Sequence, residues 1–194
     1  YQHRFGYGIN LKLETYYQYL YDVPITEEPS SFSMVNFGAD FNTTLPDDLR
    51  SGGTAENYGV ELTVEKYLDK GFYFLVTTSV YKSTYVGAND IEFSSAFDGN
   101  YTFNSLAGYE FRFKEGKRFK NSLTLDGKFT FNGGRRYTPV LEDESLLAGV
   151  EIRDWTETNT LQYDPFMKLN VRAAFKMVGQ RITQEWAIDA TNIT

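Results

Sequence analysis

Apolar and polar residues alternate one by one along several segments of the chain. In residues 167–177 (MKLNVRAAFKM) every odd position is apolar, and most even positions carry a cation or an amide. A period of two is typical of an extended strand with one apolar and one polar face. Lys168, Arg172 and Lys176 are also four apart, as on one face of a helix. The remaining segments decide between these two interpretations.

Similar segments recur along the whole chain, and no long window has the stripe and caps of a helix. Together they predict about seven strands, several of them 11 to 14 residues long, whereas strands in soluble domains average about 5–6 residues. The fold class that we predict is all-β, an antiparallel meander. The strand segments are 11–21, 58–65, 72–86, 101–113, 122–131, 167–177 and 182–191.

Short and long connections alternate between these strands. The short ones are 69–71, 114–120 and 178–180, and the long ones are about 22–53, 86–101 and 134–163. Transmembrane barrels show this rhythm, with tight turns on the periplasmic side and longer loops outside. The spacing therefore favours a barrel wall over a soluble sandwich.

Charge follows the same division. The three long loops hold 15 acidic and 4 basic residues, whereas the remainder holds 11 acidic and 15 basic residues. The turn at 114–120 alone carries four cations and one anion. This separation indicates that the two ends face different compartments, although loops that are simply polar and solvated would also fit. The net charge of −7 argues against a general nucleic-acid binder.

Composition agrees with a membrane location for the strands. Aromatic residues make up 17% of the chain, and such rings are enriched at membrane–water interfaces. The longest apolar run, Phe72–Val76, is far too short for a membrane helix of about 20 residues. Within hydrocarbon every backbone polar group must be paired, so spanning strands have to close into a barrel. The apolar face would then contact lipid, and the polar face would line a lumen.

This interpretation assigns strand residues to two opposite faces. The predicted lipid-facing residues are Val60, Leu62, Val64, Leu169, Val171, Phe175, Trp186 and Ile188. The predicted lumen-facing residues are Glu61, Glu65, Lys168, Arg172, Lys176, Glu185 and Asp189. The three cations could tune a passage through that lumen or bind a domain inside it. Alternatively, they form salt bridges with the carboxylates that we expect them to face on other strands, which are Glu61, Glu65, Glu185 or Asp189.

Four stretches of the sequence resemble a known family. They are ENYGVELTVEKYLDKGFYFLVTTSVYKSTY (56–85), YYQYLYDVP (16–24), FNGGRRYTP (131–139) and QEWAIDATNIT (184–194). In amino-acid sequence, order along the chain and spacing they are similar to stretches of the C-terminal barrel of TonB-dependent outer-membrane receptors. The resemblance covers nearly the whole chain.

The resemblance implies a barrel of roughly 22 strands in the outer membrane of a Gram-negative cell. Residues 1–194 would be a partial C-terminal barrel domain that lacks the plug domain and the closing strand. The expected function is TonB-dependent uptake of a scarce nutrient: a siderophore, cobalamin, an oligosaccharide or a peptide. The expected partners are the TonB complex (through the missing N-terminal part), the protein's own plug, outer-membrane lipid and an unidentified small ligand. No enzymatic activity and no cofactor are expected.

Candidate ligand-binding residues are few. Arg135 and Arg136, after two glycines, could bind an anion or a lipopolysaccharide phosphate. The alternative is a kink at the strand's outer end, with both arginines paired to carboxylates of the wall. The run at 142–144 (Glu-Asp-Glu) lacks the spacing of a calcium loop and is interpreted as solvated charge. A single histidine and no cysteine leave no predicted metal site.

Two other functions remain open at this point. A secreted soluble β-sandwich could bind carbohydrate through aromatic loop residues, with Trp155, Tyr137 and Phe97 as stacking platforms. A porin-type channel independent of TonB is the other alternative. No nucleophile elbow or phosphate-binding loop is present in the sequence.

Overall fold

Seven long antiparallel strands form the body of the protein, in a computed structural model that describes residues 1–39, 44–113 and 120–194. Four shorter strands, one short α-helix and three 3-10 helices complete it. The elements are β1 (Gln2–Arg4), β2 (Ile9–Thr26), β3 (Leu49–Asp69), β4 (Phe72–Val86), β5 (Glu92–Ser94), β6 (Tyr101–Arg112), β7 (Lys120–Asn132), β8 (Arg136–Tyr137), α1 (Glu142–Ala148), β9 (Leu161–Gln162), β10 (Phe166–Val178) and β11 (Thr183–Thr191), with 3-10 helices at Gly6–Gly8, Met34–Asn36 and Trp155–Glu157. None of the helices within the described ranges is long and apolar enough to cross a membrane.

The strands form one sheet in the order β1-β2-β3-β4-β6-β7-β10-β11, with β5 paired to the end of β4. β8 and β9 form a separate ribbon. The predicted all-β antiparallel meander is therefore confirmed. The alternating segment 167–177 lies in β10, so its helical interpretation is wrong. Within the described residues the sheet is open, because its outermost strands β1 and β11 do not pair with each other.

The register places apolar side chains of neighbouring strands beside one another. Phe131 of β7 lies between Phe103 of β6 and Met167 of β10, and Phe175 of β10 lies opposite Trp186 of β11. Because side chains alternate along a strand, a slip of one residue would turn every apolar side chain to the other face. Consistent pairing across all seven long strands produces one apolar face and one polar face.

The described short connections between long strands lie at one end of the sheet, which we call the turn end. Between β3 and β4, Lys70 and Gly71 both have positive φ, 52° and 92°, as in a two-residue type I′ hairpin turn. Residues 179–182 join β10 to β11. The predicted basic turn at 114–120 lies, except for Lys120, outside the described residues. The long connections all lie at the opposite end, the loop end.

Two features differ from the sequence prediction. β2 and β3 extend into the segment predicted as loop (22–53), reaching Thr26 and starting at Leu49. The alternation is lost there because Asp22 adopts φ 55° and the register shifts on either side of Val23, as at a β-bulge. Helix α1 was also missed. The acidic run 142–144, predicted as solvated charge, is its first turn, where carboxylates interact favourably with the helix dipole.

The buried core of the protein lies at the loop end. Ala55, Tyr85 and Phe93 form its centre, with Leu20 and Val35 packed against them. Hydrogen bonds tie the long loops together around this core. The Tyr85 hydroxyl donates to the Ser31 carbonyl (2.9 Å), and the Asn159 amide donates to the Ser94 carbonyl (2.8 Å). The core thus anchors the long loops and leaves both faces of the central sheet uncovered.

Candidate functional site

The apolar face of the sheet is continuous from β2 to β11. All the residues predicted to contact lipid lie on this face, since the register connects them through paired positions. It is completed by side chains of similar character on β2, β4, β6, β7 and β10: Leu11, Leu13, Tyr17, Phe74, Val76, Phe103, Tyr109, Leu123, Leu125, Phe129, Phe131 and Met167.

No second sheet or helix covers this face in the described part of the chain. Val171 at the middle of β10 is 42% exposed, and Trp186 and Ile188 on β11 are 69% and 78% exposed. An apolar surface that crosses seven strands is far larger than the apolar patches of soluble monomers. An extended exposed apolar surface is typical of a face that contacts a membrane or another protein.

The polar face carries the residues predicted to line a lumen. Arg172 of β10 pairs with two carboxylates of the neighbouring strand β11, Glu185 at 2.8 Å and Asp189 at 3.4 Å. Lys168 and Lys176 form no ion pair with any described residue, so only one of the three predicted cations bridges strands. Salt bridging to the next strand is therefore observed at Arg172 alone.

The predicted carboxylates on β3 form no ion pair with the cations of β10 within the described residues. Glu61 is directly opposite Glu14 of β2, whose carboxylate pairs with Lys12 at 2.6 Å. Glu65 accepts a hydrogen bond from the Asn10 amide at 3.2 Å. Three strands separate β3 from β10, yet Glu65, Arg172 and Lys176 line one hollow of the polar face.

A hollow of about 510 Å³ opens on the polar face towards the turn end. Its lining brings together Asp126 of β7, Arg172 of β10 and Tyr73 of β4, whose hydroxyl donates to the Asp126 carboxylate. Glu110 and Arg112 of β6, 2.8 Å apart, add one charge of each sign near its rim. Hydroxyls and paired charges of both signs make this face compatible with water.

At the loop end, the Asp98 carboxylate is completely buried and receives four donors. They are Lys82 Nζ (2.8 Å), Arg136 Nε (3.1 Å), the Ser83 amide (3.1 Å) and Asn100 Nδ2 (3.2 Å). Asp98 therefore joins the end of β4 to the loop 87–100 and to β8. Sequence reasoning missed Asp98 because its cationic partners lie 16 and 38 residues away along the chain.

The Gly-Gly-Arg-Arg motif has a structural role that differs from the predicted kink. Neither glycine has positive φ. A Cβ at Gly133 or Gly134 would instead overlap the carbonyls of Gly99 or Tyr163. Close approach of two backbones is what requires glycine here. The motif thus packs the start of the long loop 133–165 against its neighbours.

The two arginines bind groups of the loops and not carboxylates of the wall. Arg136 contacts Asp98, as described above. Arg135 donates to the Ala39 carbonyl and lies 5.6 Å from the centre of the Phe97 ring. Both guanidinium groups hold loops together, and a role for them in ligand binding stays a prediction.

Among the three predicted aromatic platforms, Trp155 has the most open ring, and Phe97 is 46% exposed. Trp155 is 59% exposed and borders a small hollow of about 160 Å³ between the long loops. Tyr137 stacks on Tyr163 at 4.3 Å, and Phe97 lies under Arg135. Ligand binding by Trp155 also stays a prediction.

Asp154 positions Trp155 by capping the 3-10 helix that Trp155 begins. The carboxylate accepts hydrogen bonds from the Thr156 hydroxyl (2.5 Å) and the Thr156 amide (3.0 Å). These bonds favour the ionised form and lower the pKa of the Asp154 carboxyl from its ordinary value. The cap therefore depends on the charge of Asp154.

Within the described ranges no three acidic or histidine side chains are grouped so that they could hold a metal ion. Comparisons with protein-family models, with curated proteins and with solved structures found no match for this chain. Inference about function therefore rests on the two faces, the loop end and the resemblance of the sequence.

Proposed function

We propose that this chain is part of the wall and outer loops of a transmembrane β-barrel that transports a nutrient across an outer membrane. The observation that carries the proposal is the uncovered apolar face opposite a polar, ion-paired face on the same single-layered sheet. A soluble sandwich would bury that apolar face against a second sheet. A barrel wall exposes it to lipid.

The dimensions of the strands fit this role. A strand of 13 residues such as β10 is about 43 Å long at roughly 3.3 Å per residue. Tilted by about 45°, as barrel strands are, it spans roughly 30 Å along the membrane normal, the thickness of the hydrocarbon core. Loop end and turn end then lie on opposite sides of the membrane.

TonB dependence is the finer part of the proposal and rests on the sequence resemblance. In that case the polar face surrounds a plug domain, the TonB complex supplies energy, and the loop end contributes to recognition of a siderophore, cobalamin, an oligosaccharide or a peptide. The protein would be located in the outer membrane of a Gram-negative cell. A complete reading frame that encodes no plug-type domain would instead support a porin-type channel.

The two tryptophans of the chain allow a direct test. Trp186 lies on the apolar face and Trp155 on an outer loop, so each can be observed alone in a Trp155→Phe or a Trp186→Phe variant. In vesicles of brominated lipid, we expect strong quenching of Trp186 fluorescence and little quenching of Trp155. Acrylamide in the water should quench the two residues in the opposite order.

Equal quenching of the two tryptophans by brominated lipid would contradict the proposed lipid contact. Protein that stays soluble and monomeric without detergent would also contradict it. If Trp186 contacts lipid but loss of TonB leaves uptake through the complete protein unchanged, the barrel proposal stands and the TonB proposal fails.

A further inference from the structure

The hairpin formed by residues 139–154 in the third long loop exposes an unusual amount of apolar surface. Leu146 and Leu147 of α1 are 82% and 90% exposed, and Val140 and Val150 are also exposed. On a surface that meets water, leucines so exposed on a fixed element are typical of an interaction site.

Hydrogen bonds within the hairpin hold these side chains in place. The Leu141 amide donates to the Ile152 carbonyl at 2.8 Å, and the Asp154 amide donates to the Pro139 carbonyl at 2.9 Å. The Ser145 hydroxyl accepts from the Ile152 amide at 2.9 Å, and Gly149 ends α1 in the left-handed conformation, with φ 70°. Apolar anchors on a pre-organised element lose little entropy when they bind.

The hairpin has an open apolar hollow with acidic borders. A hollow of about 520 Å³ lies between Val140, Leu146 and Val150, and Glu142 and Glu151 line it as well. Asp143 and Glu144 follow on the exposed first turn of α1. Arg153 is the single cation of the hairpin, and its guanidinium lies 2.5 Å from the Glu151 carboxylate. The surface is therefore both apolar and negatively charged.

We propose that this hairpin docks a basic, amphipathic segment of a partner protein. Leucine or aromatic side chains of that segment would fill the hollow. Its Lys or Arg side chains would lay their aliphatic stems on the leucines and reach the carboxylates with their charged ends. A phosphate or an anionic lipid would be repelled by the same carboxylates. A second copy of this chain is disfavoured because the three long loops carry 15 acidic and 4 basic residues.

An immobilised synthetic peptide of leucine and lysine in amphipathic order is a suitable probe. The protein in nanodiscs of zwitterionic lipid is the analyte, and empty nanodiscs are the blank. We expect saturable binding that weakens with added salt. The same peptide with glutamate in place of lysine should not bind.

Variants locate the binding surface. The double variant Leu146→Ser/Leu147→Ser should weaken binding by about 10-fold or more, as loss of a central apolar anchor does, and Glu142→Gln should weaken it by a smaller factor. Ile91→Ser and Glu92→Gln are matched controls on the exposed part of another outer loop, and both should bind as the unchanged protein does. In a Trp186→Phe background, emission of Trp155, which directly follows the hairpin, checks that the hairpin of each variant is folded.

Three results would overturn the proposal. Equal binding by the double variant would show that the peptide is held by the general acidic surface. Equal binding of the glutamate peptide would remove the charge argument. Self-association that the double variant abolishes would identify a second copy as the occupant. None of these results affects the transport proposal, because tryptophan quenching tests lipid contact independently of the hairpin.

Discussion

At the scale of single residues, neighbouring positions on one strand lie in different surroundings. Ala187 and Ala190 of β11 are both exposed, but Ala187 shares the polar face with Glu185 and Asp189, whereas Ala190 lies opposite Val171 on the apolar face. The same side chain is thus present on both faces of one strand. Substitutions at Ala187 and Ala190 therefore compare the two faces from the same starting residue, alanine.

Arginine at these two positions should have different effects on stability. In lipid vesicles, Ala190→Arg is expected to lower the free energy of unfolding by about 2–4 kcal/mol, because it places a charge in hydrocarbon. Ala187→Arg should be neutral or slightly stabilising, since carboxylates lie two residues away on either side. Both changes in the free energy of unfolding are measured by urea titration, with the folded fraction read from heat-modifiable migration on a gel. Equal losses would mean that the two faces do not differ in their medium.

Asp154 leads to a prediction about pH. Its folded-state pKa is lowered by Thr156, so its contribution to the cap is present above the ordinary aspartate value of about 3.9 and is lost as pH falls through the lower, folded value. In the Trp186→Phe variant, Trp155 emission should change with a midpoint below about 3.9.

Asp154→Asn should remove this transition, whereas Asp143→Asn, on the exposed first turn of α1, should keep it. A midpoint above the ordinary aspartate value in the otherwise unchanged protein would show that the cap does not stabilise the ionised carboxyl.

At the scale of elements, strands and loops are stabilised in different ways. The long strands are held by continuous backbone ladders that the alternating sequence keeps in register. The loops are held by a few side chains, chiefly Asp98 with Lys82 and Arg136, and by close backbone contacts at Gly133 and Gly134. The order of the loop end therefore depends on single residues more than the sheet does.

Asp98→Asn should lower the free energy of unfolding of the loop end by about 2–3 kcal/mol, because it leaves two cations without their carboxylate. Proteolysis of the outer loops, measured against urea concentration, reports this change. Asp90→Asn is the matched control. Asp90 is exposed in the same loop, and its φ of 58° suits asparagine. Equal proteolysis of the two variants would exclude Asp98 as the anchor.

At the scale of the whole molecule, the loop end and the turn end are separated by the length of the apolar face. In the proposed arrangement the loop end lies outside the cell and the turn end lies in the periplasm. The chain contains no cysteine, so one introduced cysteine reports the location of one end.

Leu147→Cys should react with a membrane-impermeant maleimide on intact cells, because Leu147 is 90% exposed in a long connection at the loop end. Gln180→Cys, at an exposed turn position, should react only after the outer membrane is permeabilised. The unchanged protein is the control for background labelling. Labelling of both variants on intact cells would rule out a membrane between the two ends.

The sequence alone determined the strands, their two faces and the alternation of short and long connections. These features follow from interactions within each segment, because a period of two specifies which side chains share a face. The period can be recognised in the sequence without knowing which strands pair. Segment 167–177 illustrates this: its alternation predicted β10 and its apolar positions correctly.

Only the tertiary structure decided how the loop end is held together. Its contacts join residues from different segments, so no local sequence pattern predicts them. They include the ion pairs of Asp98, the close backbone contacts of Gly133 and Gly134, and the hydrogen bonds of the hairpin that carries α1. The extension of β2 and β3 was hidden in the same way, because pairing with a neighbouring strand continued where the alternation had stopped. Local periodicity specifies a strand and its faces, whereas contacts between distant segments specify the surface that a ligand or partner meets.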